Sequence, residues 1–122
     1  MPITLEHEQG NIYRLDVSGR LSKAEFDRCQ ESLATEIGRI GPVKLLFVLS
    51  QFEGWEQNAN WGDLSFYASH GDLIERIAIV GEEQWRDLAV MFAAADLRKA
   101  PVRYFAGDAE AQARDWLVQH AP

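Results

Sequence analysis

The sequence has little of what marks specialised chemistry. It holds one cysteine, Cys29, which excludes an internal disulfide and a cysteine-based zinc site. Its three histidines, His7, His70 and His120, are too scattered for a Ser/Cys–His pattern or for metal-ligand spacing. Basic residues are few, twelve against nineteen acidic, and no basic cluster stands out. The formal net charge of -7 argues against nucleic acid as a partner and against simple attraction to anionic lipid. No GxGxxG or P-loop motif occurs. No apolar run is long enough to span a membrane, and the first ten residues, MPITLEHEQG, contain no signal-peptide core. These absences predict a cytoplasmic, bacterial-type domain without a cofactor, whose contact with membranes is at most peripheral.

What is present suits one domain over residues 1–122. A hydrophobic share of 47% in 122 residues is enough to bury a real core. Ile3 and Leu5, then Tyr13, Leu15 and Val17, alternate with polar neighbours around Glu8-Gln9-Gly10-Asn11, which predicts an antiparallel hairpin. Ser22-Lys23-Ala24-Glu25 reads as a capping box. The helix it opens runs to about Arg39, with Phe26, Cys29, Leu33, Ile37 and Ile40 on one stripe, and Gly41-Pro42 ends it. Cys29 on that stripe reads as a small buried hydrophobe. Val43–Leu49, apolar except for Lys44, predicts a strand buried on both faces.

A polar loop, Ser50–Ala59, should follow, then a second helix from about Asn60 to His70. Ile74–Val80 predicts another buried strand. A third helix should run from Gly81 to about Leu97, then a short strand over Pro101–Phe105. Gly107-Asp108 should cap a last helix bearing Ala109, Ala113, Trp116 and Leu117 on one face. The order predicts an α/β fold: a mixed, mostly parallel sheet of about five strands, an N-terminal antiparallel hairpin and four helices.

A long loop at the end of a buried parallel strand is where open α/β sheets keep their ligands. An anion suits this edge poorly. A helix N-terminus favours a negative charge by about 0.3–1 kcal/mol. Here Glu25, Asp63, Glu82, Glu83, Asp108 and Glu110 already occupy those positions. Glu53, Glu56 and Asp63 would serve a hydrolase, but loop carboxylates are more simply solvated or capping groups. The third helix is the anomaly, because Leu88 to Ala95 is apolar throughout. A surface helix should be polar on its outer side. A second apolar face would line a site with the preceding loop and helix. The candidate ligand-binding residues are Phe52, Trp55, Trp61, Leu64, Tyr67, Trp85, Leu88, Met91 and Phe92. The expected partner is an apolar or amphipathic small molecule or lipid, a protein helix, or a second copy in a homodimer. No catalytic residue is assigned.

These segments resemble the SpoIIAA-like family, a group of small STAS-related domains also compared with the CRAL-TRIO (Sec14-type) lipid-binding fold. The matching stretches are FEGW (Phe52–Trp55), WGDLSF (Trp61–Phe66), ERIAIVG (Glu75–Gly81), Trp85, VRYF (Val102–Phe105) and ARDWL (Ala113–Leu117). The resemblance is good from Gly41 onward and loose over the hairpin. It implies a four- or five-stranded sheet and a regulatory or ligand-binding role without known catalysis. It also implies that the second and third helices move to open an apolar cavity. Anti-sigma-factor antagonists of this kind carry a phosphorylatable residue in an Asp-Ser-Ser-Gly-type turn after the central strand. Here the turn reads Ser50-Gln51-Phe52-Glu53-Gly54. Ser50 is the candidate phosphosite, without the acidic and glycine neighbours, and a phosphate beside Glu53 would meet like charge.

Overall fold

The computed structural model describes residues 3–8, 10–56, 73–86 and 101–118. Strands β1 (Ile3–His7) and β2 (Ile12–Leu21) form the expected hairpin, in register from Ile3 opposite Val17 to His7 opposite Tyr13. Gly10 makes the turn possible with φ of +62°, a value that costs a side-chain-bearing residue and not glycine. Helix α1 (Lys23–Ile40) begins where the capping box places it. The Ser22 hydroxyl accepts the Glu25 N–H at 3.2 Å and donates to the Glu25 carboxylate at 2.8 Å. Gly41, at φ of +90°, donates its N–H to the Ile37 carbonyl and ends the helix. The apolar stripe is as spaced: Cys29, Leu33 and Ile37 are buried, with Phe26 and Ile40 packed at its margins.

Strands β3 (Val43–Trp55), β4 (Ile74–Gly81) and β5 (Val102–Ala106) and helix α2 (Glu110–Val118) follow. The sheet order is β1-β2-β3-β4-β5, antiparallel at the first pair and parallel at the others. Side-chain alternation splits the core in two. Tyr13, Leu15, Val17, Leu45, Ile77 and Ile79 share one cluster with α1. Ile12, Leu46, Val48, Ala78, Val80 and Phe105 share the other with Ala113 and Leu117 of α2. β3 feeds both clusters, which is why its first half is apolar without alternation.

The structure departs from expectation after Leu49. The chain does not enter a loop at Ser50; β3 continues through Trp55. Pairing with β4 ends at Val48 opposite Val80, so the extension pairs only with Gly19–Leu21 of β2. Register shifts lie on either side of Gly19, and Gly19, Gln51 and Gly54 have φ of +62°, +52° and +106°. Bulges of this kind let a polar, glycine-bearing stretch keep strand pairing while it twists. The composition therefore reads as a loop although the backbone remains paired. Gly81 closes β4, and a Cβ there would lie 2.9 Å from Leu49 Cβ, so the close approach of the two strands requires glycine. Among the described residues there are two α-helices and one 3-10 turn, Glu83–Trp85, where four helices were expected. The expected second helix, and the third beyond Arg86, lie outside the described residues.

Candidate functional site

The carboxyl ends of the parallel strands hold the described part of the expected site. Phe52 is 6% exposed and belongs to the α1-side core. Trp85, half-buried at the end of the 3-10 turn, meets the Phe52 ring edge-on with centroids 4.9 Å apart. The indole lies against the backbone at Gly54, where a Cβ would make ordinary contact with it at 3.6 Å and where φ of +106° favours glycine. Thus β3 and the segment after β4 are brought together by an aromatic pair that the sequence assigned to one site. Trp55 is the last residue of β3 and pairs with Leu21. Trp61, Leu64, Tyr67, Leu88, Met91 and Phe92 lie outside the described residues.

The rim of this end is acidic and polar. Gln51, Glu53, Glu56, Glu82, Glu83, Gln84 and Asp108 are all exposed. Glu56 takes a structural part: its carboxylate accepts the Lys23 N–H at 3.2 Å at the start of α1, and its own N–H donates to the Leu21 carbonyl. That placement is favourable for a carboxylate against a helix dipole. Ser50 is exposed within β3, just before the positive-φ Gln51. Apart from Tyr13, which packs with the apolar core, no polar or charged side chain is buried among the described residues, and no three His, Cys, Asp or Glu side chains among them group as metal ligands do. Burial pushes the Cys29 thiol up to about 11, leaving it protonated and unreactive at neutral pH.

The amino end of the sheet carries polar networks that the sequence did not reveal. Asn11 donates to the Pro42 carbonyl at 3.0 Å and to Glu75 at 2.9 Å, and its own carbonyl accepts the Lys44 N–H. The Tyr13 hydroxyl donates to Glu36 at 2.7 Å, and Arg39 donates to the same carboxylate. Those two donors, Arg39 first, hold the Glu36 carboxyl down at about 2. His7 stacks on the Tyr13 ring at 4.5 Å and hydrogen-bonds the Gly10 carbonyl through Nε2. On the α2 side, Arg114 grips Glu8 with two hydrogen bonds and also pairs with Glu110, while Arg14 bridges Asp16 and Glu110. The Arg114 hydrogen bonds are the main reason the Glu8 carboxyl lies below its ordinary range. An open cleft of about 570 Å³ lies beside this network, lined by Glu8, Ile12, Ala111, Arg114, Asp115 and Val118. Two of its charged groups, Glu8 and Arg114, already pair with one another. The only local signal was that Arg14 and Asp16 take the outward phase of β2.

No helix among the described residues is long and apolar enough to cross a membrane. Among proteins of curated function, none matches the sequence. Of solved structures, an uncharacterized protein of the DUF3478 family with a SpoIIAA-like fold, from Shewanella loihica PV-4, superposes with a TM-score of 0.72. The two are 22% identical, and the match covers 94% of this chain and 91% of that one. At that identity the likeness speaks for the fold. The family model for SpoIIAA-like proteins matches residues 12–118, from the first residue of β2 to the last of α2. With the five-stranded sheet and the helix pair placed as above, the chain belongs to the SpoIIAA-like family.

Proposed function

We propose that the protein is a non-enzymatic regulatory module that holds an apolar or amphipathic ligand, or a partner helix. The ligand sits at the carboxyl end of the parallel strands, against segments 60–70 and 87–97. The observation that carries this reading is the Phe52–Trp85 pair against Gly54. It fixes Trp85 at the strand ends immediately before the apolar run Leu88–Ala95, under an exposed rim of carboxylates. An apolar floor with an acidic rim favours a neutral or amphipathic guest over an anion. Burying one large apolar side chain contributes about 1.5–3 kcal/mol, so a few such groups drive binding.

Native mass spectrometry of freshly purified protein tests the reading. A co-purifying apolar molecule is expected, and Trp85→Ala should release it. Its absence from protein made in several hosts, together with no uptake of a fluorescent fatty acid, would sink the proposal.

A second reading is a partner switch of the anti-sigma-factor-antagonist kind, with or without phosphorylation at Ser50. The exposed Ser50 next to the irregular Gln51 favours it. Phosphosite mapping after incubation with candidate kinases separates the two readings, because a ligand carrier needs no modification. Sedimentation distinguishes a homodimer formed through the apolar segment from a monomer carrying a guest.

A further inference from the structure

We propose a second interaction surface, away from the carboxyl end: the free edge of β5 docks an acidic, extended protein segment that Arg103 grips. Among the described residues the sheet ends at β5. The Pro101 carbonyl accepts the Ile77 N–H at 3.0 Å. In a parallel ladder alternate residues bond the same neighbour, so Pro101, Arg103 and Phe105 face β4. Val102 and Tyr104 then turn their backbone N–H and C=O groups outward, where no strand of the five pairs with them, and Ala106 turns out its N–H while its carbonyl accepts the Ala109 N–H. Such an edge is a template for an added strand.

The side chains along this edge decide what kind of strand fits. Arg103 lies opposite Ala78, on the α2 side of the sheet, and is exposed. Its guanidinium sits over the Phe105 ring, 5.0 Å from the centroid. Phe105 packs on Trp116 at 5.9 Å, and Arg76 lies over Trp116 at 5.1 Å. The row Arg103–Phe105–Trp116–Arg76 therefore alternates cation and ring. Arg76 is committed, since it donates to the Trp116 carbonyl. Arg103 makes no ion pair among the described residues, in a chain with nineteen acidic residues. Arg20 and Arg28 make none there either, but neither lies over a ring beside an open strand edge. Stacking holds the Arg103 guanidinium in place with its N–H groups available, so a carboxylate meets a donor already ordered.

The opposite edge makes the choice sharper. β1 presents Thr4 and Glu6 as exposed side chains on the same side of the sheet. At mid-strand an acidic segment would meet like charge at Glu6 and opposite charge at Arg103, while Asp108 stands beyond the carboxyl end of β5. Charge therefore selects β5 of the two edges.

The test uses the full chain and a fluorescein-labelled peptide, Thr-Val-Glu-Val-Glu-Val-Thr, followed by fluorescence anisotropy and amide NMR. Binding is expected, with amide shifts concentrated at Val102, Tyr104 and Ala106. Replacing both Glu of the peptide by Lys, or Arg103→Met in the protein, should weaken it about tenfold, the scale of one lost charge-assisted hydrogen bond. Met keeps an apolar stem over Phe105, so the variant stays folded. N-methylation of the peptide's alternate amides should abolish binding while leaving its charge intact. No binding by the native chain, equal binding by the N-methylated peptide, or an unchanged affinity in Arg103→Met would each overturn the proposal.

Discussion

The two ends of the sheet are built differently. At the amino end, side chains tie elements together: Asn11 joins the hairpin turn to Pro42 and to Glu75, and Tyr13 joins β2 to α1 through Glu36. Glu8, Arg14, Glu110 and Arg114 tie the hairpin to α2. At the amino end positive φ falls at Gly10 and Gly41, outside the strands, beside one register shift at Val43/Lys44; at the carboxyl end the irregularity runs through the strands, with positive φ at Gly19, Gln51 and Gly54 and a β3 extension paired on one side only. Its exposed side chains are mostly acidic or amide and point to water. Cross-linked ends hold a fold in register, whereas bulged and half-paired ends open at lower cost. The difference teaches where local opening should cost least: at the end that holds Phe52, Trp85 and Ser50.

The largest expected effect should not respect that division. Leu46 is 0% exposed in the middle of β3, between both neighbours and under α2. Leu46→Ala leaves a cavity that cannot collapse, and a loss of about 2–5 kcal/mol is expected in urea unfolding. Amide exchange at Tyr13 and at Phe52 should accelerate by similar factors, because both then open through global unfolding. If only the Phe52 side accelerates, the two ends are separate cooperative units and the contrast is stronger than drawn here.

The next prediction belongs to the amino end. Glu36 titrates at about 2 when folded, against 4.5 ordinarily, chiefly through its hydrogen bond from Arg39 and then from Tyr13. A carboxyl depressed on folding stabilises the native state above its unfolded pKa. Its contribution is therefore present above about pH 4.5 and is lost as pH falls toward 2. Arg39→Gln should raise the Glu36 pKa more than Tyr13→Phe, read from its side-chain carbonyl resonance. A larger shift from Tyr13→Phe would reverse the order of causes and make the buried hydroxyl the anchor of this end.

The same contrast explains which parts were legible in the sequence. Regular elements follow local rules, so the capping box at Ser22, the α1 stripe, the hairpin and the apolar halves of β3 and β4 could be read from spacing alone. The amino-end networks could not, because Arg14 and Glu110 are 96 positions apart and Glu8 and Arg114 are 106. Nothing local distinguishes such residues from solvated charges. The extent of β3 was missed for a different reason. Ser50, Gln51, Glu53 and Gly54 have loop chemistry, and only pairing with Gly19–Leu21 keeps them in a strand. Of the residues assigned to the candidate site, Phe52 and Trp85 are in contact, yet Phe52 is packed as core and its burial has a structural cause of its own.

The smallest expected effect bears most directly on the carboxyl end. Gln51 is exposed and holds φ of +52°, a region that favours glycine. Relief of that strain by Gln51→Gly is worth about 1–2 kcal/mol. The added freedom of glycine in the unfolded chain takes back about 0.4–1 kcal/mol. The difference predicts a gain of about 0.8 kcal/mol in urea unfolding, small but opposite in sign to most substitutions. It also separates two descriptions of this end. If the bulge is only a strained irregularity, glycine relaxes it and stability rises. If Gln51→Gly instead destabilises the protein, the Gln51 side chain makes a contact that outweighs its own strain. The carboxyl end would then be held in shape as firmly as the amino end, and a guest binding there would meet a formed surface, with no need to reshape the strand.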